Sequence, residues 1–270
     1  MSNAAIFEQL VATIAALRAE NGCPWDKRQT HGTLRQYLLE ETYEVLDAIE
    51  SNDMDALREE LGDLLLQVIL HAQLAAEESS FTITEVISDL NTKLIRRHPH
   101  VFGDSSARTE KEISIQWDEI KQQEKNTMGD MSRLSGVPES MPALFRALKL
   151  QKRAAKAGFD FPDIRHVLEK LDEEMQELSQ ERTSSPPVQK RLEEELGDIL
   201  FSVVNLSRFL SINPELALQG ANKRFLSRFQ HMENILQMSK KDIESMHPDD
   251  LDLLWEHSKR ALSANKEEIS

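Results

Sequence analysis

The sequence predicts an all-α chain made of two homologous helical-bundle halves, and three observations carry that prediction. Breakers and aromatic residues are scarce, with 9 Gly, 9 Pro and 6% aromatics in 270 residues. Leu, Ala, Glu and Gln, which favour helices over sheets, are abundant. An acidic pattern, E-E-x-x-E followed after a break by E-x-x-D, occurs twice. It runs through Glu40, Glu41, Glu44, Glu60 and Asp63, and again through Glu173, Glu174, Glu177, Glu195 and Asp198.

The repeat extends beyond the acids, at an offset of roughly 135 residues. Gly62–Leu66 matches Gly197–Phe201, Asn91–Arg97 matches Asn222–Arg228, and Trp117–Lys121 matches Trp255–Lys259. Asn21–Asp26 corresponds more loosely to Ala157–Phe161. Between the copies, 126–142 is rich in Gly, Ser, Met and Pro and reads as a linker. The predicted organisation is therefore 1–125, a linker at 126–142, and 143–270.

Each half should hold about five helices. In the first half these fall at Ala4–Glu20, Thr33–Glu50, Met54–Glu78, Thr82–Arg97 and Thr109–Lys125. The first has apolar residues at helical spacing (Ile6, Leu10, Ile14, Leu17) and lacks the basic start and apolar core of a signal peptide. The second and third are separated by Ser51-Asn52-Asp53, a cluster that stops one helix and caps the next. The fourth ends in a loop at Pro99, so Arg97-His98-Pro99-His100 is not read as a metal-binding histidine pair. Cys23-Pro24-Trp25 reads as a structural turn, and Cys23, the only cysteine, has no assigned chemistry. Leu64–Leu70 and Ile199–Leu206 are apolar on nearly every side. Such helices must be covered all round, which predicts packing against another copy, within the chain or in a dimer.

Composition excludes several function classes. With 47 acidic against 32 basic residues, a net charge of −15 disfavours nucleic acid and anionic membrane as partners. No apolar run approaches the roughly 20 residues of a membrane span. A cytoplasmic protein is expected.

The acidic motifs carry the chemistry. Glu41/Glu44 and Glu60/Asp63 are i,i+3 pairs, each on one face of a helix. Glu44 and Glu60 are equally far from Asn52, as are Glu41 and Asp63, so an antiparallel hairpin sets the pairs opposite each other roughly 12–16 Å from the turn. The second copy turns at Thr183-Ser184-Ser185-Pro186-Pro187, with Glu177 and Glu195 at nearly matching distances. A single E-E-x-x-E is ordinarily a solvated helix face. Duplication, alignment across a turn, and an Asp opening an apolar helix point instead to cation sites. All-oxygen ligands suit Mg²⁺ or Mn²⁺. A di-iron bundle needs E-x-x-H pairs, and here Asp63 and Asp198 stand at those positions. Arg96-Arg97 and Arg224 with Arg228 offer guanidinium groups to phosphate, or simply pair with surface acids. Lys121 and Lys259 each follow a Trp by one turn, which suits a base and its phosphates as well as core filling.

These residues resemble a known family. E-E-T-Y-E with E-E-L-G-D, Gly22-Cys23-Pro24-Trp25-Asp26 and Arg96–Phe102 are together similar to the tandem-repeat MazG group of the all-α nucleoside triphosphate pyrophosphohydrolases, over almost the whole chain. The resemblance implies hydrolysis of nucleoside triphosphates to monophosphate and pyrophosphate, dependence on Mg²⁺ (Mn²⁺ substituting), a homodimer, and a house-cleaning role in the nucleotide pool. It implies Glu174, Glu177, Glu195 and Asp198 as metal ligands, with Glu41, Glu44, Glu60 and Asp63 as their first-half counterparts. Lys170, Arg224, Arg228, Trp255 and Lys259, with Arg97 and Lys121 in the first half, would hold the substrate. The resemblance implies that the C-terminal copy is the better-supported catalytic site, while the first-copy quartet is intact in sequence. Glu173 or Glu194 is the candidate general base. A second reading, a nucleotide-sensing regulatory protein with vestigial hydrolysis, uses the same site, and a protein partner beside catalysis stays open.

Overall fold

A computed structural model describes residues 2–127, 132–186 and 188–267. Among them every regular element is helical, and the chain divides into two compact units, Met1–Lys125 and Asn126–Ser270.

In the first unit, α1 (Asn3–Arg18) is followed by a one-turn helix α2 (Pro24–Lys27), then α3 (His31–Ser51), α4 (Met54–Glu77), α5 (Ile83–Arg97), one-turn α6 (Pro99–Phe102) and α7 (Glu110–Thr127). Local chemistry sets the boundaries. Helix α1 stops two residues earlier than its apolar periodicity suggests, because the chain folds back at Gly22. There Cys23 N donates to Leu17 O at 2.8 Å, and a Cβ on Gly22 would stand 2.2 Å from that same oxygen. Helix α3 starts before Thr33 because Thr30 and Thr33 form a reciprocal capping box. The α3–α4 turn falls at the Ser-Asn-Asp cluster: Asn52 takes the left-handed conformation (φ 55°) and Asp53 caps α4 through Asp55 N and Ala56 N. Cys23-Pro24-Trp25 and the stretch after Arg97 are not simple loops. Each starts a one-turn helix with proline at its first position, where a missing N–H costs nothing.

The core of this unit is Ile14, Leu34, Ile69, Leu70 and Leu74, flanked by Phe7, Val11, Tyr37, Leu66 and Ile83. Arg18 Nη2 reaches Glu77 Oε2 at 2.7 Å and ties α1 to the far end of α4. The expectation of cover on all sides of α4 is met on one side only, since Leu61, Leu65 and Val68, at i, i+4 and i+7, stay exposed.

The second unit contains α8 (Ala143–Lys156), α9 (Ile164–Thr183), α10 (Gln189–Phe209), α11 (Pro214–Met238), a 3₁₀ turn (Ile243–Ser245) and α12 (Pro248–Glu267). Helices α9 and α10 form the hairpin, α8 packs on α10, and α11 packs on α8 and α12. Asp163 caps α9 and Asn213 caps α11 ahead of Pro214. The α9–α10 turn lies in the expected stretch, of which Pro187 is outside the described residues. Leu148, Val167, Ile199, Val204, Met232 and Leu236 are buried. As in α4, one stripe of α10 (Leu196, Leu200, Val203) remains exposed.

Candidate metal centres on two helix hairpins

Each hairpin gathers its acids. On α3 and α4, carboxylate oxygens of Glu41, Glu60 and Asp63 lie within 4.8 Å of one another, and the charge of Glu44 bears on both Glu41 and Glu60. On α9 and α10, Glu174, Glu195 and Asp198 do the same, and the charge of Glu177 bears directly on Glu195. Both clusters follow from i,i+3 pairs facing each other across a short turn.

Electrostatics shows what these clusters lack. Desolvation first, and then the neighbouring carboxylates, push Glu41, Glu60 and Glu195 above the usual carboxylate range. Groups that resist ionising beside one another call for a cation, and three hard oxygens within one ion's reach fit a divalent one. The donor set can therefore hold a metal.

Beside the clusters the copies differ at Lys170. Lys170, one turn ahead of Glu174 on α9, places Nζ 2.8 Å from Glu174 and 3.0 Å from Glu173. Those hydrogen bonds, Glu174 first, hold its ammonium above the ordinary lysine value. Glu174 itself is buried. The equivalent position in the first copy is Tyr37, which packs on the core and meets the Trp25 ring edge-on at 5.7 Å. Sequence reasoning also passed over Glu181, one turn beyond Glu177, whose charge reaches Glu195 and which accepts from Arg191 at 3.2 Å. Its i+4 spacing from Glu177 was the available signal.

The other predicted residues sit in separate groups. Arg228 stacks over Trp255 at 5.7 Å, and Phe225 lies 5.3 Å from the same ring. Lys259 pairs with Glu256 on its own helix at 3.2 Å, and Arg224 lies against Gly220. Glu194 has Lys190 as its neighbour at 3.9 Å. In the first unit both Arg96 and Arg97 pair with Glu124 of α7, at 2.6 and 2.5 Å, and these bonds hold Glu124 at about 2. The second copy has Leu262 at the position of Glu124. The side chain of Lys121 lies outside the described residues.

These shifts give a signed pH dependence. Raised carboxylates oppose folding when ionised, so the metal-free protein gains stability as pH falls through the raised values of Glu41, Glu60 and Glu195. The lowered groups, Glu77 and Glu124 among them, stabilise above the ordinary value of 4.5 and lose that contribution as pH falls towards about 2. In chelator, the contribution of these clusters to the thermal midpoint should therefore grow as pH is lowered from neutral towards the ordinary carboxylate range. Added divalent cation should weaken that dependence from the alkaline side. A cluster contribution that shrinks as pH is lowered in chelator would contradict the reading of the clusters as repulsive.

Comparison with known proteins agrees with this geometry. The family model described as the MazG nucleotide pyrophosphohydrolase domain matches residues 29–102 and 163–234, each containing one acidic hairpin. A Thermotoga maritima protein named nucleoside triphosphate pyrophosphohydrolase/pyrophosphatase MazG is 46% identical over 254 residues, covering 94% of this chain and 96% of the relative. An Escherichia coli nucleoside triphosphate pyrophosphohydrolase is 46% identical over 259 residues, covering 94% and 97%. The uncharacterized protein YabN of Bacillus subtilis is 47% identical over 253 residues, 94% of this chain and 51% of its own length. With two matched domains and near full-length identity to such relatives, the chain belongs to the MazG nucleotide pyrophosphohydrolase family.

Proposed function

We propose that the α9–α10 cluster is the catalytic centre and that the chain hydrolyses nucleoside triphosphates to monophosphate and pyrophosphate with Mg²⁺. The activity is that of its near full-length relatives. The choice of the second copy is carried by Lys170: only there does a cation stand one turn from the buried ligand of the cluster. A triphosphate carries about four negative charges and repels an incoming water; the chemistry supplied by a divalent ion held by Glu174, Glu177, Glu195 and Asp198 is charge neutralisation and acidification of water.

The protein's own groups do the rest. Lys170 is positioned to leave its carboxylates for a phosphate oxygen as substrate arrives. Arg224, Arg228 and Lys259 supply positive charge for the phosphates, with Trp255 backing Arg228. Water adds to a phosphorus flanking the α–β bridge, the bridging P–O bond breaks, and its electron pair leaves with the departing phosphate group. The water proton goes to a carboxylate, and Glu173 is the better placed of the two candidates because Lys170 joins it to Glu174. The expected state is a homodimer covering the exposed stripes of α4 and α10. The first copy, with its arginines paired to Glu124 and tyrosine in place of Lys170, is assigned a non-catalytic role. Among the described residues no helix is long and apolar enough to cross a membrane.

The test is product identification by ion exchange after incubation with a panel of nucleoside triphosphates, with and without Mg²⁺. Monophosphate and pyrophosphate appearing only with metal is expected. Diphosphate and phosphate would contradict the proposed bond cleavage, and metal-dependent binding without turnover would favour a nucleotide sensor.

A further inference from the structure

The first hairpin carries a pair of imidazoles that the chemistry above does not use. His31 opens α3, and His71 lies in the second half of α4. Both are about 20 residues from Asn52, so they meet at the open end of the hairpin. The acidic cluster lies nearer the turn: Asp63 precedes His71 by roughly 12 Å of helix.

Their geometry is that of a shared proton. His31 Nδ1 and His71 Nδ1 are 2.7 Å apart, and the rings are nearly parallel, 5° between planes, with centroids 5.0 Å apart. The nitrogens are far closer than the ring centres, so the rings meet edge to edge and not face to face. One Nδ1 must carry a hydrogen and the other must accept it. Burial assigns the two parts. His71 Nε2 is buried with no hydrogen-bond partner, whereas His31 is exposed. An orphaned N–H is rarer in a protein interior than an unfilled acceptor. His71 therefore carries its hydrogen on Nδ1 and donates, while His31 accepts there and keeps its own hydrogen on Nε2.

The bond belongs to the neutral pair, and acid opposes it. A proton added to His71 goes to the buried Nε2; one added to His31 goes to Nδ1, the atom that accepts the bond. Two imidazolium rings cannot keep it, since both facing nitrogens would then carry hydrogen. Burial first, and then the charge of His31, push His71 below the ordinary histidine value of 6.5. Among the described residues neither ring lies within ion-pair distance of a carboxylate. The charged groups on the elements that pack here are Arg18 of α1, paired with Glu77 of α4, and Asp26 and Lys27 of α2, the lysine bound to the Glu20 carbonyl. Arg28 and Arg35 flank His31 along the chain, and Glu85 of α5 is bonded to its own Thr82 cap. The second copy is built otherwise. In the registers set by the matching acids, His31 and His71 correspond to Ile164 and Leu206, which do not titrate.

We propose that His31 and His71 form a pH-operated latch on the first hairpin, which pins the start of α3 to α4 while the pair is neutral and releases that end in mild acid. Opening lets His71 take up a proton that the closed pair refuses. The latch is therefore closed above the ordinary histidine value, and its contribution is lost as pH falls below it. That sign is opposite to the effect of the acidic clusters, so a comparison of variants separates the two.

The test is hydrogen exchange of the α3 amides at 34–38 in the full chain, in chelator, at about pH 7.5 and about pH 5.5 and corrected for intrinsic exchange rates. Wild type is compared with His71→Leu, which carries the residue of the second copy. Uptake of one proton on opening raises the open fraction up to about tenfold per pH unit below the ordinary value. Protection in wild type should therefore fall about tenfold more on acidification than in His71→Leu. An equal change in both chains would overturn the proposal. Nitrogen NMR of the imidazole rings in wild type gives a test that does not depend on the variant folding. Near pH 7.5 His71 should be the Nδ1–H tautomer and His31 the Nε2–H tautomer, and the rings should titrate in linked steps. Two Nε2–H tautomers titrating independently would overturn it as well.

Discussion

Glu174→Gln is expected to abolish turnover while leaving the protein folded. Glu174 is the buried member of the second cluster, and its carboxylate shares the site with Glu195 and Asp198. Gln keeps the shape and one oxygen but removes the charge that a hard divalent ion requires. It also strips Lys170 of its closest counter-charge, 2.8 Å away. Loss of a residue that merely supports a metal ligand typically costs about 10- to 100-fold, so loss of a ligand should exceed that. Folding should survive because the substitution relieves repulsion on Glu195. Turnover within tenfold of wild type at saturating Mg²⁺, with circular dichroism unchanged, would remove Glu174 from the metal site.

Leu34→Ala should cost the first unit about 3 kcal/mol. Leu34 has no exposed surface and sits with Ile14, Ile69, Leu70 and Leu74, where α1, α3 and α4 meet. Removing three carbons there leaves a cavity that helices held by capping boxes and the Arg18–Glu77 bridge cannot readily close. Because the chain has two units, a single global midpoint would blur the effect. Hydrogen exchange of α4 amides in the full chain reads it directly, and protection there should fall roughly a hundredfold. A change below about threefold would show that this contact is not central to the unit.

Much of this architecture was legible in the sequence, for reasons that are local. The α3–α4 hairpin could be read because Asn52 tolerates the left-handed conformation and Asp53 caps the next helix, and those residues fix the register of the carboxylates. The duplicated acids could be read because i,i+3 spacing maps directly onto a helix face. Helix starts were less legible. The Thr30–Thr33 box extended α3 backwards, and Pro24 and Pro99 opened one-turn helices where only a turn and a loop were expected. The asymmetry between the copies was missed because it lies in single substitutions, Tyr37 against Lys170 and Glu124 against Leu262, whose meaning depends on what faces them across helices.

The central claim is that the α9–α10 cluster, and not its counterpart on α3–α4, performs the hydrolysis. The direct measurement is monophosphate and pyrophosphate release, followed by ion exchange, for wild type, Glu41→Gln/Glu60→Gln and Glu195→Gln/Asp198→Asn at saturating Mg²⁺. Wild-type and first-copy variant rates that agree within a few-fold, with no product from the second-copy variant, are the predicted result. Product formation that survives in the second-copy variant and disappears in the first-copy variant would place the chemistry on the other hairpin and contradict the account.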